Sequence, residues 1–124
     1  MSQYELLLKA VQTSDVHQIR ELVSSGLDIN HRFNIPNSCD DGASVLFGAV
    51  LYANLEVIRT LLELGANPNF RAVEPALSVY ADTPLDVAIQ ARLVMDWEKY
   101  NPVVQLLIDY GATGRNSKPL PESL

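Results

Sequence analysis

Three segments of this chain end alike: GLDIN beginning at Gly26, GANPN at Gly65 and GAT at Gly111. Gly65 follows Gly26 by 39 residues and Gly111 follows Gly65 by 46, spacings of the size found in solenoid repeats. A unit that short cannot bury a core alone, so units of this kind must stack on one another. Each glycine closes the same local pattern of two short apolar stripes of helical period around a small turn. In the central unit Leu46, Ala49 and Val50 make the first stripe and Leu55, Ile58, Leu61 and Leu62 the second. Asn54 stands between them as an N-cap, and Gly65 falls where a helix ends on a left-handed residue.

Composition narrows the class. The 124 residues are one domain's worth of chain, 48% hydrophobic and 19% charged. The net charge is −6 and the nine basic residues are scattered, which argues against a nucleic-acid partner. The single cysteine, Cys39, excludes an internal disulfide framework, and it reads as an ordinary free thiol in a polar loop. No Cys or His pairs have metal-ligand spacing, so neither a metal nor a cofactor is expected. The opening MSQYELLLKAVQTSD has no basic n-region, and no stretch approaches the ~20 apolar residues of a membrane span. A cytoplasmic protein without a membrane partner is the expectation.

Residues 41–69 resemble the ankyrin repeat, whose pattern is D-G-x-T-P-L-H-x-A-A, then L-E-V-V-x-L-L-L-x-x-G-A-D-x-N. Asp41, Gly42, Leu46, Ala49, Leu55, Glu56, Val57, Leu61, Leu62, Gly65, Ala66 and Asn69 agree with it by identity. Thr83, Pro84, Leu85 and Ala88 open a third unit that closes on Leu106, Leu107, Gly111 and Ala112. The first unit matches less well, as suits a terminal cap. The resemblance implies an all-α fold, a solenoid of three helix-turn-helix units at about 4–30, 41–69 and 82–113. These form one domain over 1–114, and 115–124 is expected to be a flexible tail. The family's T-P-L-H histidine, which ties neighbouring repeats, is here Leu8, Phe47 or Asp86. The ties must therefore differ, with Phe47 offering apolar packing instead.

Measured against that pattern, the chain carries additions. Asn30 to Ser44 and Asn69 to Thr83 each span 14 residues, against about eight in the family, so both fingers are elongated. Ala88 to Gly111 spans 23 residues where Ala49 to Gly65 spans 16, an addition of seven within ARLVMDWEKYNP. Asn101 followed by Pro102 suggests that the second helix of this unit restarts there, a capping residue and then proline at N1. The first helix is then extended, with Met95 and Trp97 on the extension or in its turn, and Trp97 and Tyr100 read as packing residues.

Catalytic candidates are sparse. His17 and His31 read as solvated side chains, and the pairs Asp40 with Asp41 and Asp82 with Asp86 as turn-stabilising groups. No phosphate-binding glycine loop occurs, and an enzyme is not expected. The resemblance instead implies recognition of another protein through the concave face and the fingers. On the concave face it singles out Gln12 and Thr13, Leu51 and Tyr52, and Gln90 and Ala91. The fingers add Arg32, Phe33 and Ile35, then Phe70, Arg71, Val73, Leu77 and Tyr80. The phenylalanines divide evenly between a satellite core and a binding role, whereas Arg71, Tyr52 and Tyr80 favour binding. A small adaptor or inhibitor, monomeric alone, is the expectation. The alternatives are an immunity-type inhibitor whose acidity steers it to a toxin or enzyme, and a self-associating repeat unit.

Overall fold

The computed structural model describes residues 2–35, 42–72 and 82–113, and among these the regular elements are six helices with no strand. They are α1 (Gln3–Gln12), α2 (Val16–Ser24), α3 (Val45–Tyr52), α4 (Leu55–Glu63), α5 (Pro84–Val94) and α6 (Trp97–Asp109). Cys39, Asp40, Asp41, Val73, Leu77, Tyr80 and the expected tail lie outside the described residues.

Side-chain caps start the second helix of every pair. Asp15, Asn54 and Asp96 accept hydrogen bonds from the backbone amides of Gln18, Val57 and Lys99, satisfying a donor that has no partner inside the helix. In α5 the Thr83 hydroxyl does the same for Asp86, and Pro84 follows at the first helical position, where its missing N–H costs nothing. At the other end of α4, Gly65 adopts φ +100° while the amide of Ala66 donates to Leu61 O at 2.9 Å. Gly111 and Ala112 end α6 in the same way, with φ +93° and a 3.0 Å bond to Leu107 O. The recurring Gly-Ala is therefore a helix stop.

The helix pairs stack in two layers, α1, α3 and α5 in one and α2, α4 and α6 in the other. The repeat register is visible in the core between them. Leu7, Leu46 and Leu85 occupy equivalent places, as do Ala10, Ala49 and Ala88, and Leu22, Leu61 and Leu107, and all nine are buried. Alanine at the second of these lets neighbouring helices approach, while the leucines fill the space between layers. Phe47 is buried in the middle unit, as expected from its position. Asp86 takes that place in the last unit, held by the Thr83 hydroxyl at 2.8 Å.

The missing histidine ties are replaced by asparagines. Asn30 Oδ1 accepts from Asn67 N at 2.7 Å, and Asn69 Oδ1 accepts from Thr113 N at 2.9 Å. Asn69 Nδ2 also donates to Gly111 O at 3.2 Å, so the closing asparagine of each unit grips the loop of the next. The bases of the fingers repeat as well, since Phe33 N donates to Ala43 O at 3.0 Å and Ala72 N to Asp82 O at 2.7 Å.

The seven added residues are distributed differently from the sequence expectation. α5 has 11 residues where α3 has 8, and α6 has 13 where α4 has 9, so both helices of the third pair are longer. α6 starts at Trp97 behind the Asp96 cap, and Pro102 lies inside it rather than at a new N-terminus. The exposure of Asn101 and Pro102 explains why this is tolerated: the carbonyl that proline leaves unpaired, on exposed Glu98, faces water. The extra turn buries Tyr100, whose hydroxyl donates to Leu51 O at 2.5 Å. Leu51 belongs to the last turn of α3, where carbonyls have no helical partner, so the addition in one unit caps a helix of the previous one.

Candidate functional site

Tyr4, Glu5, Leu8, Lys9 and Gln12 recur at three- and four-residue intervals, which places them on one face of α1, while Leu7, Ala10 and Val11 are buried. Opposite this face runs the first finger. Between them lies a groove of about 800 Å³, with Tyr4, Glu5, Leu8, Lys9 and Gln12 on one wall and His31, Arg32, Phe33 and Ile35 on the other. Its lining is mainly apolar, a composition suited to side chains of a bound segment.

The finger wall is held by stacking and by one arginine. The His31 ring lies on Tyr4 with centroids 3.9 Å apart and meets Phe33 edge-on at 5.0 Å. Tyr4 Oη accepts from the amide of Asp28 at 3.1 Å, which fixes the α1 side of the stack. Arg32 reaches across both fingers: its Nη1 donates to Gly42 O at 2.5 Å and to Arg71 O at 2.7 Å, and its guanidinium lies 4.4 Å from the centre of the Phe70 ring. These bonds spend much of its donor capacity inside the chain but leave its charge. Among the described residues the ion pairs are His17 with Glu21, Arg20 with Glu63 and Arg71 with Asp82, so Lys9 and Arg32 bring positive charge to the groove without an ion pair to another described residue.

The individual expectations fare differently. Gln12 is exposed and lines the groove. Tyr52 is 49% exposed at the end of α3 but lies outside the groove, and Leu51 and Gln90 are half-buried. Phe33 is 5% exposed and packs in the core against the His31 ring, which corrects its placement as a partner contact: a side chain so buried has little surface to offer. Ala91 is fully buried as well. Phe70 is half-buried beneath Arg32, and Arg71 is exposed with its Nε 3.3 Å from Asp82 Oδ2. Arg32 is exposed and lines the groove, and it also clamps the two fingers together. His31 is half-buried in a ring stack rather than solvated, whereas His17 is exposed beside Glu21. Trp97 is exposed, contrary to its expected packing role, and Tyr100 is buried as expected.

Burial raises the pKa of Tyr100 above its ordinary 10.0, and the negative charge of nearby Asp96 adds to this. That phenol is part of the helix packing, away from the groove. Among the described residues no three His, Cys, Asp or Glu side chains are grouped to hold a metal ion. None of the described helices is long and apolar enough to cross a membrane. What the groove offers is an apolar trough whose charged lining is Lys9, Arg32 and Glu5, a net of one positive charge. Sequence patterning missed it because its walls come from α1 and a loop, which are brought together by the Tyr4–His31 stack and the Asp28–Tyr4 hydrogen bond.

The family described as Ankyrin repeat matches residues 41–72. A protein named ankyrin repeat, SAM and basic leucine zipper domain-containing protein 1 from Carollia perspicillata is 35% identical over 66 residues. The same-named proteins of Loxodonta africana and Dasypus novemcinctus are 35% and 36% identical over the same length. Each match covers 53% of this chain and 13% of the relative, so the likeness is confined to a small part of those longer proteins.

Proposed function

This chain is an ankyrin-repeat protein with an all-α fold, and on that premise we propose that it binds another protein by taking an extended segment of it into the groove between α1 and the first finger. Ankyrin repeats are in general protein-interaction modules and typically non-enzymatic. The observation that carries the proposal is the groove of about 800 Å³ itself, mainly apolar and edged by Lys9 and Arg32. Such a site suits a segment with apolar side chains and at least one carboxylate. The described helix pairs act in this proposal as one three-unit domain, whose fingers extend the contact through Arg71 and Phe70, with Tyr52 and Gln90 at its margin. A cytoplasmic role as a small adaptor or inhibitor belongs to the same proposal, and the net charge of −6 favours a protein partner over nucleic acid.

The test compares capture of partners by the wild-type chain, by Leu8→Asp with Lys9→Glu, and by Tyr52→Ala with Arg71→Ala, melting temperatures being recorded in parallel. A partner retained by the wild type and lost by the first variant, at unchanged stability, supports the groove. Capture lost only with the second variant moves the site to the α3 end and the second finger. Equal capture by all three overturns both.

A further inference from the structure

The hairpin of α5 and α6 ends in an apolar tip. Leu93 is 68% exposed, Val94 67%, Met95 59% and Trp97 52%, four large side chains within five residues. All belong to the segment lengthened relative to the other pairs, so the tip projects roughly one helical turn beyond the α3–α4 hairpin. Trp97 is positioned in advance: the Arg92 guanidinium lies 4.2 Å from its ring centre and is anchored through Nη1 to Asn101 Oδ1 at 2.9 Å. A held aromatic surrounded by exposed aliphatic groups is the composition of an interface centre.

We propose that this tip pairs with the same tip of a second copy of the chain, forming a weak twofold dimer in place of the monomer expected from sequence. Charge selects that occupant. The tip and its flanks carry Arg92, Asp96, Glu98 and Lys99, which sum to zero, whereas the whole chain is at −6. Two acidic copies repel over most of their surface, and a projecting neutral tip lets them touch while the charged bodies stay apart. Both signs are present on each copy, so a twofold axis can set Lys99 and Arg92 of one against Glu98 and Asp96 of the other, the self-complementarity an isologous contact requires. Area sets the strength. The four apolar side chains expose on the order of 400 Å² per copy, and with exposed Asp96, Glu98 and Lys99 the pair can bury at most about 1,200 Å², the lower bound for a specific interface, which makes the dimer weak. The dimer is independent of the groove, which lies on α1 and the first finger.

Sedimentation velocity on the full chain between about 1 µM and 1 mM, with emission of the single tryptophan followed over the same range, tests this. The mass is expected to rise from one chain to two while emission shifts to shorter wavelength as Trp97 leaves water. Leu93→Ser with Met95→Ser, both at exposed positions, should weaken association at least tenfold with no change in melting temperature. Val94→Glu, which brings like charges together at the twofold axis, should do the same independently. A monomer throughout, a doubled mass without an emission shift, or association that survives both variants overturns the proposal. Recovery of a monomer on phosphatidylcholine vesicles also overturns it, by assigning the tip to a lipid surface.

Discussion

Replacing Tyr100 with phenylalanine isolates one hydroxyl that joins the third helix pair to the second. The ring is 1% exposed and fills its site unchanged in phenylalanine, so no cavity forms. What disappears is the donor to Leu51 O at 2.5 Å. That carbonyl is in the final turn of α3 and is half-buried, so it regains only part of its hydration. A buried acceptor left unmade costs about 1–3 kcal/mol, and partial access to water places this one near 1–2 kcal/mol. For a domain of this size the melting temperature should fall by roughly 4–10 °C at neutral pH. The same substitution has a signature in pH. The Tyr100 pKa is raised in the folded state by burial, and further by Asp96, so its neutral form is the one folding favours. Its contribution is complete below the unfolded value of about 10 and is lost as pH rises through the higher folded value. Chemical denaturation at neutral pH and at steps from pH 9 to 12 should show the wild type losing stability above pH 10 and converging on Tyr100→Phe. A variant as stable as wild type at neutral pH, or a gap between the two that is constant across the alkaline series, would refute the role assigned to the hydroxyl.

Gly65→Val should destabilise by about 2–3 kcal/mol, because φ +100° is closed to a β-branched residue although no atom lies within 4 Å of the added Cβ; an unchanged denaturation midpoint contradicts the helix-stop geometry. Asn69→Ala removes the bonds to Thr113 N and Gly111 O, and should cost about 1–2 kcal/mol and speed amide exchange at Thr113. Unaltered exchange there would show that the asparagine does not tie the units. Arg32→Met keeps the apolar stem over Phe70 but loses both carbonyl contacts; at this exposed site about 1 kcal/mol is expected, with amide exchange increased in both finger bases. Protection that changes in neither finger removes its role as a clamp.

The helix stops were legible because they depend on backbone conformation alone: a glycine four residues beyond the equivalent buried leucines Leu22, Leu61 and Leu107 predicts its own positive φ. The cap at Asn54 was legible for the same local reason. The start of α6 was misplaced because two local signals compete there. Asn101-Pro102 is a good helix start in isolation, but Asp96 is also a cap, and burying Tyr100 against α3 favours the longer helix. Phe33 and Trp97 were exchanged in role for a related reason. Both are aromatic residues outside the repeat's helical stripes, and their burial depends on what lies beside them in space, as the His31 ring and the core do for Phe33.

By itself the sequence determined the repeat, its period and the all-α stack, because Gly26, Gly65 and Gly111 and the apolar stripes before them act over single turns of chain. The tertiary structure decided where surface remains. Arg32 became a clamp because two fingers 39 residues apart come within its reach. The groove exists because Tyr4 and His31 stack across a loop, and the apolar tip because two lengthened helices outgrow their neighbours. Exposure depends on which elements lie beside a residue in space, and no local pattern of side chains encodes it.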